Sequence, residues 1–208
     1  MSSSTVLLQG LHRLRDAALL LIIASILIGI GAVSAYASIF PAMFFGLHRW
    51  GPATVIASVG IGAVALIVVV LVGLVIALIA VYSKLVPGSR DLAQYDPNNF
   101  ETPYKLVKIG YVVGLILLIV GVATVIVLIG IPLIVVGIIL LIIGIIGAAI
   151  LLIRLHDIYD RTLLLVAGIL LIIGIFVPLA SFVGWILAYI DLSSLVRKLE
   201  AEAGQHSG

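Results

Sequence analysis

The chain has 208 residues, of which 64% are hydrophobic and 10% charged, with a mean hydropathy of +1.43. Soluble domains carry about a quarter charged residues, so this balance excludes a cytosolic enzyme fold, a nucleic-acid-binding module and a disordered chain, and leaves an integral membrane protein. The absence of cysteine excludes disulfides, thiolate metal sites and cysteine nucleophiles, and the net charge of +2 matters less than where the charges fall.

Breaking the chain at every Asp, Glu, Lys and Arg leaves four long charge-free runs, at residues 17–48, 50–83, 109–153 and 162–190. A bilayer core of about 30 Å needs about 20 helical residues, because a helix satisfies its own backbone polar groups in lipid. The first span is expected at about 16–36, followed by an aromatic segment with Phe40, Phe44, Phe45 and Trp50. Ala35-Tyr36-Ala37-Ser38 imitates an export cleavage site, but the apolar stretch before it is long for a signal, so retention as an anchor is expected. Pro52 suits the first turn of a second helix, whose strongest lipid-like stretch is 60–82.

Residues 84–105 are expected to form a cytoplasmic loop, with turns at Pro87-Gly88 and Asp96-Pro97-Asn98-Asn99 and a helix start at Thr102-Pro103. The run at 109–153 is too long for one span and is expected to fold back at Gly130-Ile131-Pro132, giving spans at about 106–129 and 132–155. The last run has Pro178 near its centre. A helical hairpin is expected there, with arms at 161–177 and 179–195 turning at 177–181, and a single tilted span is the alternative. A polar cytoplasmic tail at 196–208 completes the chain. The expected fold is therefore all-α, a single transmembrane domain over 1–208: a polytopic helical bundle of four clear spans plus a C-terminal hairpin broken at Pro178, six segments in all, or five spans in the alternative.

Of eleven basic residues, Arg13, Arg15, Lys84, Arg90, Lys105, Lys108, Arg154 and Arg161 share one side in this topology, and the hairpin adds Arg197 and Lys198 against Arg49 alone. The positive-inside rule then puts both termini in the cytoplasm of a cell membrane. Tyr82, Tyr104, Tyr111, Tyr159, Trp185 and Tyr189 are expected toward the cytoplasmic interface, and Tyr36, Phe40, Phe44, Phe45 and Trp50 toward the outer one.

Glycines recur seven apart, at Gly114 and Gly121 and at Gly130, Gly137 and Gly144, which returns them to nearly one helix face and predicts close backbone packing. Three further stretches carry a resemblance: Leu11-His12-Arg13-Leu14-Arg15-Asp16, Tyr95-Asp96-Pro97-Asn98-Asn99-Phe100-Glu101-Thr102-Pro103 leading into Leu106-Val107-Lys108-Ile109-Gly110, and Val183-Gly184-Trp185 through Asp191-Leu192-Ser193-Ser194. With them the chain resembles an archaeal multi-pass membrane family known only as a domain of unknown function. The resemblance implies a helical fold in an archaeal cytoplasmic membrane and carries no activity and no site residues.

Polar groups able to do chemistry are few. His156 and Asp160 stand four apart, as do His12 and Asp16, a spacing that suits a divalent metal but equally an interfacial turn with Arg154 and Arg161 pairing the acids. No Asp, Glu, Lys or Arg falls at the centre of a predicted span, where a proton relay or ion-coupled transporter keeps at least one. Ser25, Ser58, Thr124 and Ser181 are the hydroxyls left at depth. The expectation is a non-enzymatic structural or interaction component with no catalytic, cofactor-binding or metal residues and no cofactor. Its partners are the lipid bilayer and either protein subunits or further copies of itself, without nucleic acid. The rival is a small channel or transporter lacking an acidic relay, with the break at Pro178 and Ser181 as its pointer.

Overall fold

The structure is a computed structural model and describes residues 3–41, 60, 64, 68–69, 71–124 and 130–205. The expected loop around Arg49, Trp50 and Pro52, Ser58, and residues 125–129 before the second fold-back lie outside the described residues. Six helices are described: α1 Ser3–Pro41, α2 Leu71–Tyr95, α3 Pro97–Gly121, α4 Gly130–Tyr159, α5 Thr162–Ile173 and α6 Pro178–Gln205. All regular structure among the described residues is helical, and five of the six helices, α5 excepted, are long and apolar enough to cross a membrane. By contacts the chain divides into two units, Met1–Leu19 with Ala80–Gly208, and Leu20–Ile79.

Helices in lipid gain nothing by hiding apolar surface from a solvent that is equally apolar, so small residues that let backbones meet supply the contact. In the larger unit α3 and α4 run antiparallel along such a seam. A Cβ on Gly147 would lie 2.7 Å from Leu106 Cβ, one on Gly144 2.9 Å from Tyr111 Cδ2, one on Gly137 3.0 Å from Gly114 O and one on Gly121 2.8 Å from Ile134 N. At Gly110 the added carbon would fall onto the backbone of Gly144. Away from the seam α3 carries Ile109, Val113, Ile116 and Ile119, all exposed, as an apolar outer stripe. The glycines spaced by seven are thus the packed face, as their spacing predicts.

The C-terminal hairpin forms, with its turn earlier than expected. Helix α5 ends at Ile173, residues 174–177 turn, and Pro178 begins α6, where its missing N–H and fixed φ suit the first turn. The turn satisfies its own backbone: Gly174 N donates to Leu170 O, Ile175 N to Ile172 O, Phe176 N and Val177 N to Ile173 O, and Ala180 N to Val177 O, at 2.8–3.2 Å. That closure is what a turn in an apolar surround requires. Gly174 lies against the backbone of Ser181, whose N and Cα are 2.7 Å from an added Cβ, so the hairpin is tightest where it reverses. Gly168 packs on Ala149 and Ile153 of α4, and Gly184 on Ala167 and Leu170 of α5.

One expectation is corrected. Residues 84–105 are helical apart from a one-residue break: Pro87 sits in the first turn of the helical stretch Val86–Tyr95, Asp96 caps the next helix, Pro97 starts it, and Pro103 lies inside it. Asp96 accepts from Asn99 N at 3.3 Å and from Asn99 Nδ2 at 2.6 Å, an N-cap that explains why the chain turns at this residue and nowhere else in the segment. The tail after residue 196 continues α6 to Gln205, because Leu192, Leu195 and Val196 recur at helical spacing and are buried. Trp185 is buried in the bundle at 7% exposure.

In the smaller unit Gly73 packs on α1, an added Cβ lying 2.8 Å from Ile28 Cγ1 and 3.2 Å from Ala24 O, while Ser25 donates to its own helix at Leu21 O. Gly29 has open space around it. Gly110→Ala is therefore expected to destabilise the protein in detergent by about 2 kcal/mol or more, from overpacking against Gly144. Gly29→Ala, a helical site with room, should be neutral or raise stability by up to about 1 kcal/mol. Thermal unfolding of the two variants side by side checks the pair.

Candidate functional site

All nine acidic residues and ten of the eleven basic ones fall at positions 13–16, 84–108, 154–161 and 191–202, the start of α1, the ends of α2, α4 and α6, and the starts of α3 and α5. In an antiparallel bundle these lie at one end of the larger unit. The exception, Arg49, is outside the described residues.

Two glycines bring the first half of this polar end together. A Cβ on Gly10 of α1 would stand 3.2 Å from Gly88 O, and one on Gly88 of α2 3.1 Å from Gly10 O and 3.0 Å from Arg13 Cβ, so glycine at both positions suits so close a crossing. The approach places Arg13 Nη1 where it donates to Asp91 Oδ2 at 2.8 Å, and Lys84 Nζ where it donates to Asp16 Oδ2 at 3.0 Å. Arg15 donates to the other oxygen of Asp16. His12 Nε2 lies 2.9 Å from Glu200 Oε1, tying α1 to the last turns of α6.

The second half centres on Asp191, buried at 4% exposure, which the sequence does not single out. Arg161, in the α4–α5 turn, reaches it at 3.5 Å and donates to Ser194 Oγ at 3.4 Å. The turn itself depends on Asp160 at φ 52°, a left-handed conformation that Asp tolerates better than most residues. Asp191 Oδ2 and His156 Nδ1 are the buried side-chain atoms without a hydrogen-bond partner among the described residues. The alternation of acid and aliphatic residues around Ile190-Asp191-Leu192 contains the signal: a carboxylate amid residues that must be helical and apolar needs a cation, and Arg161 is the one within reach.

The spacing-based metal reading does not assemble. Asp16 is held by Lys84 and Arg15, His12 faces Glu200, Arg154 lies 3.8 Å from Asp157, and no group of three or more His, Asp or Glu among the described residues is placed to hold a metal. Ser181, the pointer to a pore, makes no hydrogen bond among the described residues and is significant instead for its small size against Gly174.

Between α1, α2 and α3 lies a half-open cavity of about 460 Å³. Arg13, Arg90, Asp91 and Lys108 supply its charges, Gln94 and Tyr104 its neutral donors, and Val86 with Pro87 its apolar wall. Wide π-helical turns, Ala80–Leu85 and Lys108–Val113, stand at its edge, one ending just before Val86 and one beginning at Lys108. Such turns are rare and concentrate at functional positions.

The family described as "Protein of unknown function (DUF973)" matches residues 8–208, and the chain belongs to it. No curated protein and no solved structure matches the chain.

Arg161→Ala leaves Asp191 buried without its cation and is expected to cost about 3 kcal/mol of stability. Lys198→Ala removes an exposed partner of Glu202 and should cost under about 0.5 kcal/mol. Comparing the two melting curves separates a structural ion pair from surface charge.

Proposed function

We propose that this member of the DUF973 family is a non-enzymatic structural or interaction component of an archaeal cell membrane, spanning it several times with both termini cytoplasmic. The observation that carries the reading is the segregation of charge: nearly every ionisable group sits at one end, and four of the nine carboxylates, Asp16, Asp91, Asp191 and Glu200, join helices there. An ion-coupled transporter or membrane-embedded enzyme needs polar groups at lipid depth, and here depth is occupied by glycine contacts and aliphatic side chains. The contact of His12, near the beginning of α1, with Glu200, near the end of α6, supports the even number of crossings that a terminal hairpin gives. Ten basic residues then share that side, the arrangement that the positive-inside rule assigns to the cytoplasm.

The channel reading draws on the break before Pro178. Five backbone N–H groups at the turn, those of Gly174, Ile175, Phe176, Val177 and Ala180, are bonded locally, and Gly174 closes on Ser181, which supports a sealed hairpin over a lined path.

Because the chain has no cysteine, single cysteines report topology cleanly. Asn98→Cys and Glu202→Cys, both at exposed positions, should be shielded from an impermeant thiol reagent in intact cells, while Gly51→Cys should react. Labelling at position 202 with shielding at 98 would replace the hairpin by a single crossing. Purified protein in liposomes should pass ions and small solutes no faster than empty vesicles. Reproducible flux abolished by Ser181→Trp would establish the channel instead.

A further inference from the structure

Charges at the polar end are mostly spoken for. Arg13, Arg15, Lys84, Lys105, Arg154, Arg161 and Lys198 each have a carboxylate within 4 Å, and among the described residues Arg90, Lys108 and Arg197 have none. Two of those three, Arg90 and Lys108, line the same cavity. Lys108 Nζ stands 5.8 Å from the centroid of the Tyr104 ring, a cation–π contact that orients the ammonium without neutralising it. The one carboxylate in the wall, Asp91, is held by Arg13 and only 13% exposed, so it offers little to a third cation. The cavity therefore has an uncompensated charge of two, a planar guanidinium, a point ammonium, and two neutral donor groups in Gln94 and Tyr104.

We propose that this cavity is a binding site for a phosphate ester. The guanidinium of Arg90 matches two phosphate oxygens at once, Lys108 supplies a second charge, and Gln94 and Tyr104 complete the donor set, a combination that fits a tetrahedral anion better than a flat carboxylate. A volume of about 460 Å³ takes a headgroup-sized ligand. Gly10 and Gly88 make the site possible, because their crossing sets α1 close enough to α2 for Arg13 to engage Asp91 and leave Arg90 unpaired. The phosphate can belong to a membrane lipid headgroup or to a soluble ester. The exposed Ile109 and Val113 that follow Lys108 along α3 give a lipid somewhere to lay its chains. The site stands independently of whether the protein is a structural component; the membrane reading bears only on the phosphate's source.

The test uses the full chain in neutral detergent, with thermal stability followed during titration by dioctanoyl phosphatidylglycerol and, separately, by glycerol 1-phosphate. A saturable rise in melting temperature is expected, with apparent affinity falling about tenfold or more in Arg90→Gln/Lys108→Gln. Lys105→Gln/Lys198→Gln, which removes two surface cations outside the cavity, should bind as wild type, and Arg90→Lys/Lys108→Arg should retain most of the affinity. Saturation by the lipid alone assigns the site to a headgroup; equal saturation by glycerol 1-phosphate assigns it to a soluble ester. No saturable shift with either ligand, full binding by the Arg90/Lys108 double variant, or equal loss in both double variants would overturn the proposal, the last by showing that only overall charge attracts the anion.

Discussion

The structure depends first on the contact of backbone with backbone at glycine. In lipid, two helices meet because van der Waals contact between them outcompetes contact with acyl chains, and side chains at the seam would hold the axes too far apart. Along α3 and α4 the seam is built by Gly110, Gly114 and Gly121 against Gly137, Gly144 and Gly147. The same device sets α5 on α4 through Gly168, α6 on α5 through Gly184, and the start of α1 on α2 through Gly10 and Gly88. Bulky aliphatic residues such as Ile116, Ile119, Val135 and Ile138 face outward along α3 and α4, while leucines including Leu92, Leu155, Leu171 and Leu195 fill the interior elsewhere in the larger unit.

Charge placement follows from that packing. The seams leave little room for side chains and the outer faces are apolar, and among the described residues the charged groups lie at one end of the larger unit. There they take over from glycine as the link between elements, with Arg13 and Asp91, Lys84 and Asp16, and His12 and Glu200 joining α1 to α2 and α6. Asp191 and Arg161 carry the same principle one step inside the bundle. An end so nearly neutralised makes its two unpaired cations in one cavity stand out.

Much of this is legible in the sequence. Charge-free runs mark the spans, Pro178 marks the hairpin, and the seven-residue glycine spacing marks the seam. What is harder to read is the segment from Lys84 to Lys108, where Pro87, Gly88, Pro97 and Pro103 suggest turns. Proline is tolerated in the first turn of a helix, as at Pro87 and Pro97, and Gly88 is there for its contact with Gly10, so residues that usually punctuate serve packing here. The break instead falls at Asp96, the one position whose side chain caps the following helix. The cavity is not legible either, because Arg13 is far in sequence from Arg90 and Lys108, and which cations remain unpaired depends on the helix crossing.

The most direct test of the glycine seam is a disulfide across it. In the cysteine-free chain, a Cβ at Gly114 would lie 3.2 Å from Leu140 Cβ, near the separation of about 3.5–4.5 Å that a disulfide spans. The Gly114→Cys/Leu140→Cys variant in native membranes should lose both free thiols on mild oxidation while migrating as a monomer, whereas Ile116→Cys/Ile139→Cys, at exposed positions, should keep both. Free thiols persisting at 114 and 140, with monomeric cross-linking at 116 and 139, would mean that α3 and α4 meet through other faces and that the glycines do not hold this bundle together.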